Sequence, residues 1–143
     1  MEKQKILIVD DEENIRNLLV EVLGKEGYEC KTAANGEEAI NEIKKDSFAL
    51  VLLDIKMPIN NGIDALPEIL DHDKDIAVII ITGIMEVEIA LNALKLGAYD
   101  YIMKPFGIEE VIINVEKALE KRKLTIQNKG VAGKFREKSN RAD

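Results

Sequence analysis

At 143 residues the chain has the length of one ordinary domain, long enough to bury most of its apolar side chains in a single core. Its 27 acidic side chains outnumber the 20 basic ones and give a net charge of −7, which argues against direct binding to nucleic acid or to an anionic membrane surface. Cys30 has no second cysteine to pair with, and no segment has the pattern of a signal peptide or a membrane span. We therefore expect a soluble cytoplasmic protein with no membrane partner.

Five segments of the chain have the composition of β-strands. Those at 6–9, 48–53 and 76–81 are continuously apolar, which is typical of strands covered by helices on both faces. Those at 29–34 and 99–103 mix polar and apolar residues, which indicates strands at the edges of a sheet. With strands numbered along the chain, the pattern predicts the order 2-1-3-4-5. The fold class is then α/β: a flavodoxin-like, doubly wound (βα)5 sandwich of three layers around a parallel sheet.

Segments with the helical spacing of apolar residues separate the strands. The segment after the first strand and the one after the last each carry one apolar stripe, formed by Ile15, Leu18, Leu19 and Val22, and by Ile108, Val111, Ile112, Val115 and Leu119. Shorter helices fit 37–46 and about 64–72. The second of these contains Pro67, which we expect to lie in the first turn, because the N–H groups there lack helical partners in any case.

Acidic residues stand at the carboxyl ends of two central strands. Asp10 and Asp11 end strand 1, and Asp54 ends strand 3, beside the crevice that opens where the strand order reverses. Acids in the first turn of a helix stabilise its dipole and an aspartate makes a good N-cap, which explains Glu12, Glu13 and one of the two aspartates without any site but leaves Asp54 unexplained. Clustered carboxylates either take raised pKa values or hold a cation, and three oxygen donors suit Mg²⁺ or Mn²⁺. We therefore predict a divalent metal between Asp10, Asp11 and Asp54.

Strands 4 and 5 present further polar side chains at the same edge of the sheet. Strand 4 ends in Thr82, and strand 5 ends in Lys104, with Tyr101 three residues before the lysine. Each has an ordinary structural role when taken alone: a strand end, a solvated charge and a half-buried aromatic ring. Together with the carboxylates they supply a nucleophile, metal ligands and donors that neutralise transferring oxygens, which phosphoryl transfer to a carboxylate requires.

At this point four motifs give the chain a specific resemblance. Over about residues 3–124 it resembles the phospho-accepting receiver domains of two-component response regulators, of the chemotaxis-regulator type. The motifs, in the order and at the intervals usual for that family, are ILIVDDE at 6–12, LLDIKMPINNGID at 52–64, IIITG at 79–83 and GAYDYIMKPF at 97–106.

The resemblance implies a role in signal transduction. Asp54 would accept a phosphoryl group from the phosphohistidine of a sensor histidine kinase or of a phosphotransfer protein, and the domain would act as a switch and not as an enzyme. The Mg²⁺ ligands would be the side chains of Asp10, Asp11 and Asp54 and the backbone carbonyl of Lys56.

The resemblance also implies roles for residues of strands 4 and 5. Lys104 would pair with the phosphoryl oxygens, Thr82 would swing its hydroxyl to them, and Tyr101 would move inward as the switch aromatic. The peptide bond before Pro105 would be cis, as suits a proline where the chain turns sharply beside a site.

The fourth helix, about 86–96, carries two apolar stripes, and a helix on a sheet cannot bury both. One consists of Val87, Leu91 and Leu94, and the other of Ile89, Ala93 and Leu96. Either the spare stripe packs on a neighbouring helix or it faces a partner. The resemblance favours a partner surface formed by helix 4, strand 5 and helix 5, including Val87, Leu91 and Leu94, which would serve a homodimer or an output target.

The sequence predicts a receiver domain at 1–124 followed by a basic tail at 125–143. The tail carries a net charge of +3, which leaves about −10 on the rest of the chain. Gly130 and Gly133 should interrupt any helix that enters it, so we expect a flexible linker or its remnant. Such a linker would lead to an output domain, an AAA+ ATPase or a DNA-binding module, unless the receiver stands alone.

Three other functions compete with this interpretation. A haloacid-dehalogenase-like phosphohydrolase would carry a second aspartate two residues after Asp54, where this chain has Lys56. A flavodoxin would need a phosphate-binding loop after strand 1, where DDEEN would repel phosphate. The remaining alternative is a degenerate receiver that acts as an unphosphorylated protein-interaction module, which the complete set of acceptor residues disfavours.

Overall fold

The computed structural model of the chain describes residues 3–55 and 62–142, with side chains described as far as residue 128. Strands and helices alternate along it, and a single 3₁₀ turn, Ile84–Glu86, precedes the fourth helix. The strands are β1 (Lys5–Val9), β2 (Glu29–Ala33), β3 (Leu50–Asp54), β4 (Ala77–Thr82) and β5 (Asp100–Met103). The helices are α1 (Glu13–Lys25), α2 (Gly36–Lys45), α3 (Gly62–His72), α4 (Val87–Leu96) and α5 (Ile108–Ala142).

All five strands are parallel and lie in the order β2-β1-β3-β4-β5. Every residue of β3 and β4 is buried, whereas most residues of β2 and β5 are exposed or half-buried. The predicted flavodoxin-like order is therefore confirmed, for the reason given by the sequence: strands with polar side chains occupy the edges. In register, Val9 lies opposite Leu53, which brings the ends of β1 and β3 side by side.

Alternate residues of the central strands enter two separate cores. Leu7 and Val9 face a core closed by α2, α3 and α4, and Ile6 and Ile8 face a core closed by α1 and α5. Full burial of one such aliphatic side chain contributes roughly 1.5–3 kcal/mol relative to exposure. The two cores hold the sheet between helical layers and so position the strand ends at its carboxyl edge.

Three helical details differ from the sequence predictions. In α1 the buried positions are Leu19 and Leu23, while Leu18 is 37% exposed. The buried face is therefore rotated slightly about the helix axis relative to the predicted apolar stripe. In α5, Ile108 begins the helix but is 48% exposed. Pro67 is the sixth residue of α3 and lies beyond the first turn, so that expectation was wrong. Its ring faces solvent, where water can hydrogen-bond the backbone carbonyl that loses its helical partner.

The last helix, α5, extends through Ala142 and includes both glycines that were expected to interrupt it. The predicted interruption was wrong because a helical glycine costs only about 1 kcal/mol relative to alanine, and the neighbours Lys129, Ala132 and Lys134 are good helix formers. The division into a receiver at 1–124 and a separate basic tail stays a prediction. Of the helices in the described residues, α5 included, none combines the length and apolar character needed to cross a membrane.

Candidate functional site

Three carboxylates meet at the carboxyl edge of the sheet. Asp10 follows β1 directly, Asp11 comes next, and Asp54 is the last residue of β3. One oxygen from each lies within 4.8 Å of the others. Asp10 is fully buried and Asp54 is 5% exposed, whereas Asp11 is open to solvent. The structure thus brings together the three acids that the sequence predicted to share a crevice.

Asp10 is held by its own backbone and by the start of α1. One carboxylate oxygen, Oδ1, accepts a hydrogen bond of 2.9 Å from the Glu12 N–H, and the Asp10 carbonyl accepts one of 2.8 Å from Arg16 Nη1. The other oxygen, Oδ2, is buried and faces the Lys104 ammonium at 3.2 Å. Burial raises the pKa of Asp10, and the nearby charge of Asp11 adds to the rise, against the opposing effects of the Glu12 N–H and of Lys104.

Lys104 reaches the same crevice from the end of β5. Its Nζ lies 3.2 Å from Asp10 Oδ2, 3.4 Å from Glu12 Oε2 and 3.5 Å from Asp54 Oδ2. Desolvation lowers the pKa of this ammonium, but the carboxylates of Asp54, Asp10 and Glu12 more than offset it, so the pKa is raised. Lys104 is therefore charged at neutral pH. The peptide bond between Lys104 and Pro105 is cis, as expected.

Thr82 and Tyr101 lie on the neighbouring strands β4 and β5. Thr82 is 1% exposed, and its hydroxyl donates a hydrogen bond of 3.0 Å to the Gly83 carbonyl. The Thr82 carbonyl accepts one of 2.7 Å from the Lys104 N–H, which links the two strand ends. Tyr101 is half-buried and packs against the core under α2, α3 and α4. Thr82 thus lies at the carboxyl end of β4, and Tyr101 lies on the side of the sheet that α4 covers.

The donor set fits a small divalent cation. Mg²⁺ binds oxygen ligands, is held by one or two carboxylates and keeps several waters, and the crevice offers two largely buried carboxylates and one open to solvent. Asp10 Oδ2, which is buried and lies 3.2 Å from Lys104 Nζ, already faces a positive charge. Lys56, whose backbone carbonyl the family resemblance implies as another ligand, lies outside the described residues.

The residues of the partner stripe predicted on α4 differ in their exposure. Leu91 is 46% exposed, whereas Val87 and Leu94 are half-buried and Leu94 packs against the core. The residues of α4 that are fully buried are Ala90 and Ala93. Ala93 of the second stripe thus belongs to the buried face itself, whereas Ile89 and Leu96 of the same stripe are exposed. The most exposed apolar residues of this region, Ile84 and Met85, lie in the turn before α4, at 73% and 87%.

Two contacts at the site were not anticipated from the sequence. Arg16 anchors the backbone of Asp10, and Glu12 reaches Lys104, which is 92 residues away in the chain. The spacing of Arg16 from Asp10, just over one helical turn into α1, is a weak signal for the first contact. No sequence signal identifies the second, because it depends on how the side chains that follow β1 and β5 meet at the carboxyl edge of the sheet.

Comparison with known proteins assigns the chain to one family. The model of the response regulator receiver domain matches residues 6–116. The chain belongs to this family. It is a receiver domain similar to Regulatory protein AtoC of Escherichia coli strain K12, with 41% identity over 81% of this chain. It is also 44% identical, over 83% of its length, to Sporulation initiation phosphotransferase F of Bacillus subtilis strain 168.

These relatives differ in how much of their own length the receiver domain spans. It covers 25% of AtoC but 96% of the sporulation phosphotransferase. Among solved structures, a response regulator receiver domain from Clostridium thermocellum superposes with a TM-score of 0.81 at 34% identity, over 85% of this chain and 98% of that one. The described fold is therefore that of a receiver domain in a two-component system.

Proposed function

We propose that this receiver domain is a phosphorylation switch, in which Asp54 accepts a phosphoryl group from the phosphohistidine of a histidine kinase or of a phosphotransfer protein in the cytoplasm. An Asp54 carboxylate oxygen forms the new P–O bond, the P–N bond of the donor breaks, and its electron pair stays on the imidazole nitrogen. One observation carries the proposal: Asp54 shares a crevice with two further carboxylates and an ammonium 3.5 Å from its Oδ2. Family membership supports it.

Different residues around Asp54 stabilise different charges during phosphoryl transfer. Asp10, Asp11 and Asp54 would hold Mg²⁺ or Mn²⁺, which supplies positive charge for the transferring oxygens. Lys104 neutralises a phosphoryl oxygen, since its ammonium already lies beside Asp54 and is charged at neutral pH. The Thr82 hydroxyl exchanges the Gly83 carbonyl for a phosphoryl oxygen by rotating about one bond. The chain is in this sense an acceptor and not an enzyme.

The readout of phosphorylation is a population shift on the α4 side of the sheet. Phosphoryl contacts favour one rotamer of Thr82, which changes the space available to Tyr101 in the adjacent strand. Tyr101 packs beneath α4, so its movement alters the surface formed by α4, β5 and α5. This surface would control an output domain, a separate target or a second copy of the chain, and Leu91 is an exposed apolar residue on it.

The acceptor role is tested by incubating the chain with acetyl phosphate and Mg²⁺ and resolving the product on a phosphate-affinity gel. We expect one shifted species that is absent in EDTA and in Asp54→Asn. The matched control is Asp71→Asn, which removes the same charge from an exposed position of α3. A chain that stays unshifted would refute phosphorylation and favour the alternative, an unphosphorylated interaction module. Continued turnover of phosphate esters would instead indicate an enzyme.

The readout surface is tested by sedimentation with and without phosphorylation. Leu91→Glu should weaken any phosphorylation-dependent association, because it places a charge on the exposed border of α4. Leu96→Glu, which is 55% exposed on a different side of the same helix, is the control and should leave association unchanged. The surface is misassigned if Leu96→Glu, and not Leu91→Glu, prevents association. Sedimentation that is the same in both phosphorylation states would count against a dimer switch.

A further inference from the structure

The Lys104 ammonium lies between three carboxylates that differ in their exposure. The two from Asp10 and Asp54 are buried, with side chains 0% and 6% exposed, and they belong to the acidic cluster of the crevice. The third, from Glu12, is 61% exposed and lies 3.4 Å from Lys104 Nζ. The lysine therefore has two partners inside the crevice and one at its solvent side, at nearly equal distances.

The position of the Glu12 side chain is not explained by the helix that it begins. Glu12 is the N-cap residue of α1, but its carboxylate makes no capping hydrogen bond to the backbone. Its carboxylate instead accepts a hydrogen bond from Lys104 across the crevice. An acid placed only for the helix dipole has no need of a specific cation from another strand of the sheet.

In the proposed reaction, two cations need the buried carboxylates of Asp10 and Asp54. A divalent ion and the Lys104 ammonium both require the oxygens of Asp10 and Asp54, and at contact distance two cations repel each other. An ammonium held only by the two buried acids would compete with the metal for them. Later the same ammonium must be close enough to meet a phosphoryl oxygen on Asp54. The site therefore needs a second position for the lysine that is near the crevice but outside it.

We propose that Glu12 is a positioning residue that provides this second position, by drawing the Lys104 ammonium to the solvent side of the crevice so that a divalent cation can take Asp10 and Asp54. The inference rests on the proposed function, since it concerns metal binding at the same site. Glu12 is suited to the task because its exposed single charge binds the ammonium weakly. A phosphoryl group, with its larger negative charge, then draws the lysine back inward.

The first test compares two variants that remove one negative charge each. Glu12→Gln should weaken Mg²⁺ binding by about twofold to fivefold, the range that exposed ion pairs produce. Glu13→Gln removes the same charge one residue further on, from an exposed side chain that has no contact with Lys104 among the described residues, and should change the affinity less. Binding is measured by titrating the isotope-labelled chain with MgCl₂ and following backbone NMR signals of the crevice.

The second test asks whether Glu12 acts through Lys104. In a Lys104→Met background, Glu12→Gln should no longer weaken Mg²⁺ binding, because no ammonium remains to compete with the metal. A metal-free measurement, which needs no lysine variant, reports whether the Glu12 side chain contacts Lys104 in solution. In EDTA, Glu12→Gln should shift the Lys104 side-chain NMR resonances, and Glu13→Gln should not.

The outcomes separate this inference from the proposed function. Equal loss of Mg²⁺ affinity in Glu12→Gln and Glu13→Gln, or an unmoved Lys104 resonance in Glu12→Gln, would overturn the positioning role while phosphoryl acceptance by Asp54 stood. A wild-type chain that binds no Mg²⁺ would overturn both.

Discussion

Replacing Lys104 by methionine tests how far one ammonium stabilises the two buried acids of the crevice. The Nζ atom is 3.2 Å from Asp10 Oδ2 and 3.5 Å from Asp54 Oδ2. At an effective dielectric constant of about 20, each attraction is about 5 kcal/mol. Most of this is offset by the desolvation of the three charges and by repulsion between the acids. Lys104 is 27% exposed, so its net contribution should lie between that of an exposed pair and that of a buried pair.

We therefore expect Lys104→Met to lower the free energy of unfolding by about 2 kcal/mol in the absence of divalent ions. The measurement is urea unfolding in EDTA, followed by circular dichroism. The control is Lys95→Met, at an exposed position in the last turn of α4, which should change stability only slightly.

A second variant isolates the electrostatic cause from lost packing. In an Asp54→Asn background, one of the two uncompensated acids is gone, so Lys104→Met should cost distinctly less than in the wild type. The reasoning is refuted if Lys104→Met is as stable as the wild type, or if its cost is the same in both backgrounds.

Three further predictions concern stability. Burial raises the pKa of Asp10, so the native state binds a proton on this carboxylate more tightly than the unfolded state does. The free energy of unfolding in EDTA should therefore rise as the pH falls through the raised pKa toward 3.8. In urea unfolding, Asp10→Asn should show a smaller rise and should be more stable than the wild type at neutral pH. A hydrogen bond from Lys5 is the main cause that lowers the pKa of Asp46 from 3.8 to about 2. The ionised Asp46 therefore contributes stability above pH 3.8, and this contribution is lost as the pH falls toward about 2. Acid unfolding followed by circular dichroism should be less steep in Lys5→Met. Gly97 has φ 123° and an added Cβ would lie 2.9 Å from an α3 leucine, so Gly97→Ala should cost about 1–2 kcal/mol in urea unfolding, whereas Gly24→Ala, with open space around it, should cost nothing.

The sheet order could be predicted because burial on two faces leaves a strong compositional signal. Continuous apolar runs marked β1, β3 and β4 as central, and mixed runs marked β2 and β5 as edges. That order alone places Asp10, Asp54, Thr82 and Lys104 at one edge, because parallel strands end on the same side. The exact strand bounds were less accurate: the apolar run at 48–53 predicted an earlier start, whereas β3 begins at Leu50 and ends at Asp54.

Details that depend on distance between elements could not be predicted. On α4 the apolar pattern favoured Val87, Leu91 and Leu94 as a partner surface, but it did not show that the buried face of the helix consists of Ala90 and Ala93. Small residues let a helix approach a sheet closely, and a hydrophobicity pattern does not encode that distance. The contact of Glu12 with Lys104 was missed for a related reason, since it depends on where two long side chains meet.

Mass spectrometry of the phosphorylated chain tests the central claim most directly. The wild-type chain is incubated with acetyl phosphate and Mg²⁺, quenched quickly, and examined as intact protein and as peptides. The account predicts the added mass of one phosphoryl group, located on Asp54 and absent in EDTA and in Asp54→Asn. No added mass, or a phosphoryl group on another residue that Asp54→Asn leaves in place, would contradict it.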